Sequence, residues 1–148
     1  FLIILNTTAY SSNKLSSNLL GFLIIGDVNI GYETQINESS TLITTGHIIT
    51  TNSELFENAI TARISSGVRF YEASLTQNIR QQFIELKLGC FFTESFAAHP
   101  TAEIYYGEFT PFSESLYWDY KIGLLRVLSS NSNQFYPSGS VNIGFYLD

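Results

Sequence analysis

Methionine is absent from this 148-residue chain, cysteine occurs once, and charged side chains make up only 14% of it. An average soluble domain carries ~25% charged residues, so the exterior is unusually poor in Lys and Glu. The single Cys90 excludes an internal disulfide framework and a thiolate zinc site. The 7 basic residues stand singly along the chain. With no Lys or Arg cluster to displace condensed counterions, nucleic-acid binding is excluded and an anionic membrane surface is disfavoured. His47 and His99 are the only histidines, which excludes a histidine-rich metal site. A Gly-x-Ser-x-Gly elbow, Gly-x-Gly phosphate loops and the P-loop pattern are also missing. The longest uninterrupted apolar run is far short of the ~20 residues a transmembrane helix requires, so no membrane span is expected. The first residue is Phe1, and the expectation is a removed leader or a piece of a longer chain. A removed signal peptide would place the protein outside the cytoplasm.

Hydrophobic residues are plentiful at 45%, with 12 Phe, 9 Tyr and a single Trp, while Ser, Thr and Asn fill the polar positions. Such a surface suits an extracellular, virion-surface or cell-surface protein, or one covered by its neighbours in a homo-oligomer. In Gln82–Phe92, the residues Ile84, Leu86, Leu88, Cys90 and Phe92 share one side of a two-residue repeat, and Glu85, Lys87 and Gly89 the other. This is the period of a half-buried strand, with the apolar side expected in a core and the charged side in water. The rhythm returns at Trp118–Leu124 and Val141–Leu147. Further strands are expected at Val68–Ala73, Glu103–Phe109 and Leu116–Leu128, with turns near Pro100, Pro111, Asn131–Asn133 and Pro137. Over Asn52–Ser66 the spacing of Leu55, Phe56, Ala59, Ile60 and Ile64 predicts one amphipathic helix, with Glu54 and Glu57 in its first turn. The expected architecture is all-β: one domain over residues 1–148, a two-layer antiparallel β-sandwich or jelly roll carrying one short helix.

Cys90 and Trp118 both fall on the side expected to be core, so Cys90 is read as an inert small hydrophobe rather than a nucleophile. Glu94, Glu103, Glu108, Glu114 and Asp119 are interleaved with aromatics in one third of the chain. Carboxylates beside aromatic platforms suit sugar recognition, and Glu103, Tyr105, Tyr106, Glu108 and Trp118 form the candidate ligand set. The same oxygens would also suit calcium, and the plainer reading puts the rings in a core and the acids in water. No catalytic residue, metal site or cofactor is expected. Asn6 and Asn37 head sequons and would be glycosylation acceptors on an exported protein. Phe1, Leu2, Ile3, Ile4 and Leu5 form an apolar strand that must pair within the domain or complete a neighbour's sheet, and it is the candidate assembly strand. The functional expectation is a non-enzymatic structural or adhesive subunit of an extracellular or virion-surface homo-oligomer, such as a filament, fibre or spike. The alternative is a carbohydrate-binding, lectin-like module with a glycan partner, and a glycoside hydrolase comes third.

Overall fold

A computed structural model describes residues 13–18, 27–49, 60–75, 79–93, 97–128 and 135–147. The strands are β1 (Asn13–Asn18), β2 (Asp27–Asn37), β3 (Ser40–Ile49), β4 (Ile60–Tyr71), β5 (Gln81–Thr93), β6 (Ala98–Pro111), β7 (Leu116–Val127) and β8 (Phe135–Leu147). Each pairs antiparallel with the next, and β8 pairs back onto β1 through Asn13↔Leu147 to Asn18↔Asn142. The result is a closed eight-stranded barrel.

This overturns the sandwich. Two layers would leave four sheet edges, whereas here every strand has a neighbour on both sides. The expected helix is overturned as well, where it can be seen. Residues 51–59 lie outside the described residues, but Ile60–Ser66 form the first part of β4, with Ile64 opposite Gly46 on one side and Cys90 on the other. No helix occurs among the described residues. The helical spacing of Ile60 and Ile64 is also compatible with one face of a strand, and β-branched residues favour the strand once partners exist on both sides.

The two-residue period is present as expected, but its faces are exchanged. Glu85 is 0% exposed and Leu88 is 68% exposed. Ile84, Leu86, Leu88, Cys90 and Phe92 point away from the barrel axis, while Glu85 and Lys87 point into it. On β7, Tyr117, Asp119 and Lys121 face inward, so Trp118, Tyr120, Ile122 and Leu124 line the outside. Cys90 is half-buried on the outer wall, and Trp118 is not a core residue.

An eight-stranded barrel leaves an interior just wide enough for side chains to fill. Inward glycines make room for the largest of them. A Cβ on Gly107 would come within 2.6 Å of the Phe83 ring, and one on Gly123 within 2.7 Å of the Tyr105 ring. One end of the barrel, the turn end, holds Asn13, Leu147 and the links at 38–39, 72–80 and 112–115. Its links are tied by local hydrogen bonds: Ser39 N donates to Asn37 Oδ1 at 3.0 Å, and Leu116 N to Ser113 Oγ at 3.1 Å. At the opposite, far end the strands lead into 19–26, 50–59, 94–97 and 128–134.

Candidate functional site

The lumen is filled in layers. Nearest the turn end, Tyr71, Phe83, Phe109 and Tyr117 form a buried aromatic cluster, with Tyr146 packed against it. The Phe109 and Tyr117 rings lie 5.0 Å apart, and Tyr71 meets Phe109 edge-on at 5.8 Å. Lys14 Nζ sits 4.5 Å from the centre of the Phe109 ring and 4.8 Å from that of Tyr71.

Above this plug runs a network of buried charges with Arg69 at its centre. Its guanidinium meets Glu85 at 2.6 Å, Glu33 at 3.1 Å and Asp119 at 3.2 Å, and lies 4.0 Å from the Phe83 ring centre. Glu33 also accepts from Lys14 Nζ at 3.2 Å and Thr41 Oγ1 at 2.7 Å, and takes a short hydrogen bond from the Tyr71 hydroxyl. Lys121 Nζ donates to Glu85 at 2.6 Å, and Lys87 Nζ reaches Glu85 at 3.2 Å and Glu103 at 3.4 Å. Asn142 Nδ2 closes the network on Asp119 at 2.6 Å. Burial of single charges is prohibitive, but paired and hydrogen-bonded charges are tolerated, and here each carboxylate has a cation.

Toward the far end the lumen becomes looser. Arg63 Nη2 and Asn29 Nδ2 approach His47 Nε2 at 2.9 and 3.2 Å. Arg63 Nε and Glu103 Oε1 face each other at 4.0 Å, too far for a hydrogen bond, and both lack a hydrogen-bond partner, as does Thr101 Oγ1. His99 stacks on Phe91 with ring centres 4.8 Å apart.

The outer wall is the chemical inverse. Ile30, Leu42, Ile48, Ile64, Ile84, Leu86, Leu88, Ile104, Ile122 and Leu124 are all exposed large hydrophobics, spread around the circumference. Outward hydroxyls satisfy one another: Thr44 Oγ1 and Ser66 Oγ are 2.9 Å apart, and Ser66 Oγ also donates to Ile43 O at 3.2 Å. Among the strand side chains described, only Glu108 and Arg126 bring charge to this wall, one toward each end. Glu108 is held by Arg80, with both guanidinium contacts at 2.6 Å, and by the Tyr120 hydroxyl at 3.3 Å. Beside it, toward the turn end, Trp118 stacks on Phe112 at 6.3 Å and lies 5.7 Å from Tyr120.

The barrel wall divides the residues singled out for sugar binding. Glu103 and Tyr105 are in the lumen, the Tyr105 hydroxyl donating to Glu103 Oε2 at 2.9 Å. Tyr106, Glu108 and Trp118 lie outside, so the five do not converge on one surface. Asn37 is exposed at the β2–β3 turn, whereas Asn6 and Phe1–Leu5 lie outside the described residues. Cys90 faces outward and both histidines inward, so no thiol–imidazole pair forms. No group of three or more potential metal ligands occurs among the described residues. None of their helices could cross a membrane, since there are none, which leaves open a crossing by strands. The lumen residues Lys14, Glu33, Arg69 and Lys121 were missed in the sequence reading. For Lys121 the signal was present as opposite charges two apart inside an apolar strand, Asp119/Lys121, as in Glu85/Lys87, which puts both signs on one face; Lys14, Glu33 and Arg69 have no charged residue two positions away. No protein-family model, no curated protein and no solved structure matches the chain.

Proposed function

We propose that this chain is a membrane-embedded β-barrel, a closed anchor that carries its connecting segments at the two membrane faces and performs no chemistry of its own. One observation carries the reading: charge is concentrated in the lumen, and exposed apolar side chains predominate on the outside of the strands. Of the 7 basic residues, Lys14, Arg63, Arg69, Lys87 and Lys121 all face inward. Monomeric proteins in water rarely expose apolar patches beyond a few hundred Å². A lipid environment removes that difficulty, and closed barrels satisfy the backbone hydrogen bonds that hydrocarbon cannot.

Dimensions and edge chemistry agree. The outward run from Ile84 to Phe92 climbs about 20 Å at ~3.4 Å per residue and a ~40° tilt, against a band of ~25 Å for membrane barrels. Trp118, Tyr120 and Phe112 sit at the turn-end margin of this outer wall, the level at which amphipathic rings favour the membrane–water boundary. The Glu108–Arg80 pair lies at the same margin, where charge can reach water. The reading keeps the surface localisation expected from composition. It assigns the outer wall to lipid, whereas a fibre or other homo-oligomer would cover it with copies of the chain.

Reconstitution separates the two. The refolded chain is expected to float with lipid vesicles, and emission of the single Trp118 to be quenched by bromines placed near the headgroups more than by bromines at the chain ends. A chain recovered lipid-free as a monodisperse soluble monomer would overturn the membrane reading. Ordered soluble multimers formed without lipid would favour the structural homo-oligomer.

A further inference from the structure

We propose that the far end of the lumen binds a neutral sugar, one hydroxyl bridging Arg63 and Glu103 and a second meeting Thr101. The site lies inside the barrel, so it does not depend on what covers the outer wall. Thr101 and Glu103 are successive inward residues of β6, and Arg63 reaches them from β4. On β5 between them the inward position beside Thr101 is Gly89, paired with Ser65 on its other side, so no side chain fills the wall there. Glu103 Oε2 is taken by Lys87 Nζ at 3.4 Å and by the Tyr105 hydroxyl at 2.9 Å, and Oε1 is left without a hydrogen-bond partner. Arg63 likewise places Nη2 on His47 at 2.9 Å and leaves Nε unbonded. Thr101 Oγ1 is the third such atom, on a residue 1% exposed. Buried polar atoms are costly to leave unbonded, and three of them on facing strands call for a partner from outside the chain.

Donor and acceptor types select that partner. Arg63 Nε only donates. Burial pushes the Glu103 carboxyl up, but Lys87, Arg63 and the Tyr105 hydroxyl outweigh it and hold it below its ordinary range, so Oε1 only accepts. An anion would meet Arg63 and be repelled by Glu103, and a metal cation the reverse. A neutral hydroxyl accepts from the one and donates to the other, and an oxygen ~2.8 Å from each atom spans their 4.0 Å gap. Thr101 can donate or accept, which suits a second hydroxyl on the same molecule. One row nearer the mouth, Phe91 and His99 pair across the strands and stack at 4.8 Å, an aromatic wall of the kind that takes the apolar face of a sugar ring. The Arg63 side chain is 16% exposed, so the site opens toward the far end. Of the residues singled out from the sequence for sugar binding, only Glu103 contacts the ligand here.

The test titrates the full chain, in a detergent without a sugar headgroup, with D-glucose and follows binding by saturation-transfer NMR. Saturable binding is expected, with no displacement by inorganic phosphate or by calcium. Thr101→Val, which keeps the shape and removes the hydroxyl, should weaken binding about three- to tenfold, and Arg63→Met about tenfold or more. Arg80→Ala, at the opposite end, should leave it unchanged. Circular dichroism and urea midpoints check that each variant folds, and if Arg63→Met does not, Thr101→Val carries the test. A folded wild type that gives no saturable signal would overturn the proposal and leave the three atoms to water alone. Displacement by phosphate would overturn it in favour of an anion site, and unaltered affinity in Thr101→Val would overturn the placement. Vesicle flotation reads the outer wall separately: a chain that binds D-glucose and does not float keeps this site and loses the membrane reading, and one that floats without binding does the reverse.

Discussion

Arg69 touches three carboxylates at once and is about 1% exposed, so its removal would strand Glu33, Glu85 and Asp119 together in the lumen. A buried pair adds little over apolar packing, but breaking one by deleting a partner costs ~3–5 kcal/mol. Arg69→Ala should therefore lower the unfolding free energy by about that amount, read from a shift in urea midpoint at unchanged slope. Arg80→Ala is the control. That side chain is 69% exposed and bonded to Glu108 at the rim, where water screens the pair, so its loss should barely move the urea midpoint. Equal costs for the two variants would mean that the lumen is wet enough to screen its charges. At this scale the sequence was least legible. Glu103 and Tyr105 looked like neighbours of Tyr106 and Glu108, and they are, along the strand; the alternating pleat then sends each pair to opposite sides of a wall.

At the scale of elements, the strands were legible and the side facing the core was not. β5, β7 and β8 contain the stretches where alternation was read, with ends moved by a few residues. A two-residue period only divides side chains into two sets; which set is buried depends on what covers each face, and nothing in β5 itself says that Glu85 will find Arg69 on β4 and Lys121 on β7, or that Lys87 will find Glu103 on β6. Closure was hidden for the same reason, since the β1–β8 pairing joins opposite ends of the chain. The face assignment is testable on β6. Ile104 is half-exposed at mid-wall, between Leu86 and Leu124. In a bilayer, Ile104→Arg should cost ~2–4 kcal/mol, while the same change on a wall in water should stay within about 0.5 kcal/mol. Reversible unfolding from vesicles gives the number. Gly107→Val tests the inner face: the added branch meets the Phe83 ring, and overpacking of this kind costs ~1–3 kcal/mol.

For the whole molecule, the layering of the lumen decides whether the barrel could be a pore. The plug residues Phe83 and Phe109 are each 2% exposed and Tyr117 is 1% exposed. Lys14 lies over the rings from inside, so the turn end is closed by hydrocarbon and a tethered cation together. The charged layer behind it is cross-linked through Arg69, Glu85 and Lys121, whose separations of 2.6 Å leave no room for water between them. An ion entering from the looser far end, past Arg63 and Thr101, would have to break several of these contacts and then the plug. The wild-type barrel in a planar bilayer is therefore expected to show no steady unitary conductance. Removing two rings of the plug, as in Phe83→Ala with Phe109→Ala, should produce brief openings if the variant still inserts, because what remains at that end is a charged layer that water can reach. Steady conductance in the wild type would show that the network opens readily, and the barrel would then be a channel and not a closed anchor.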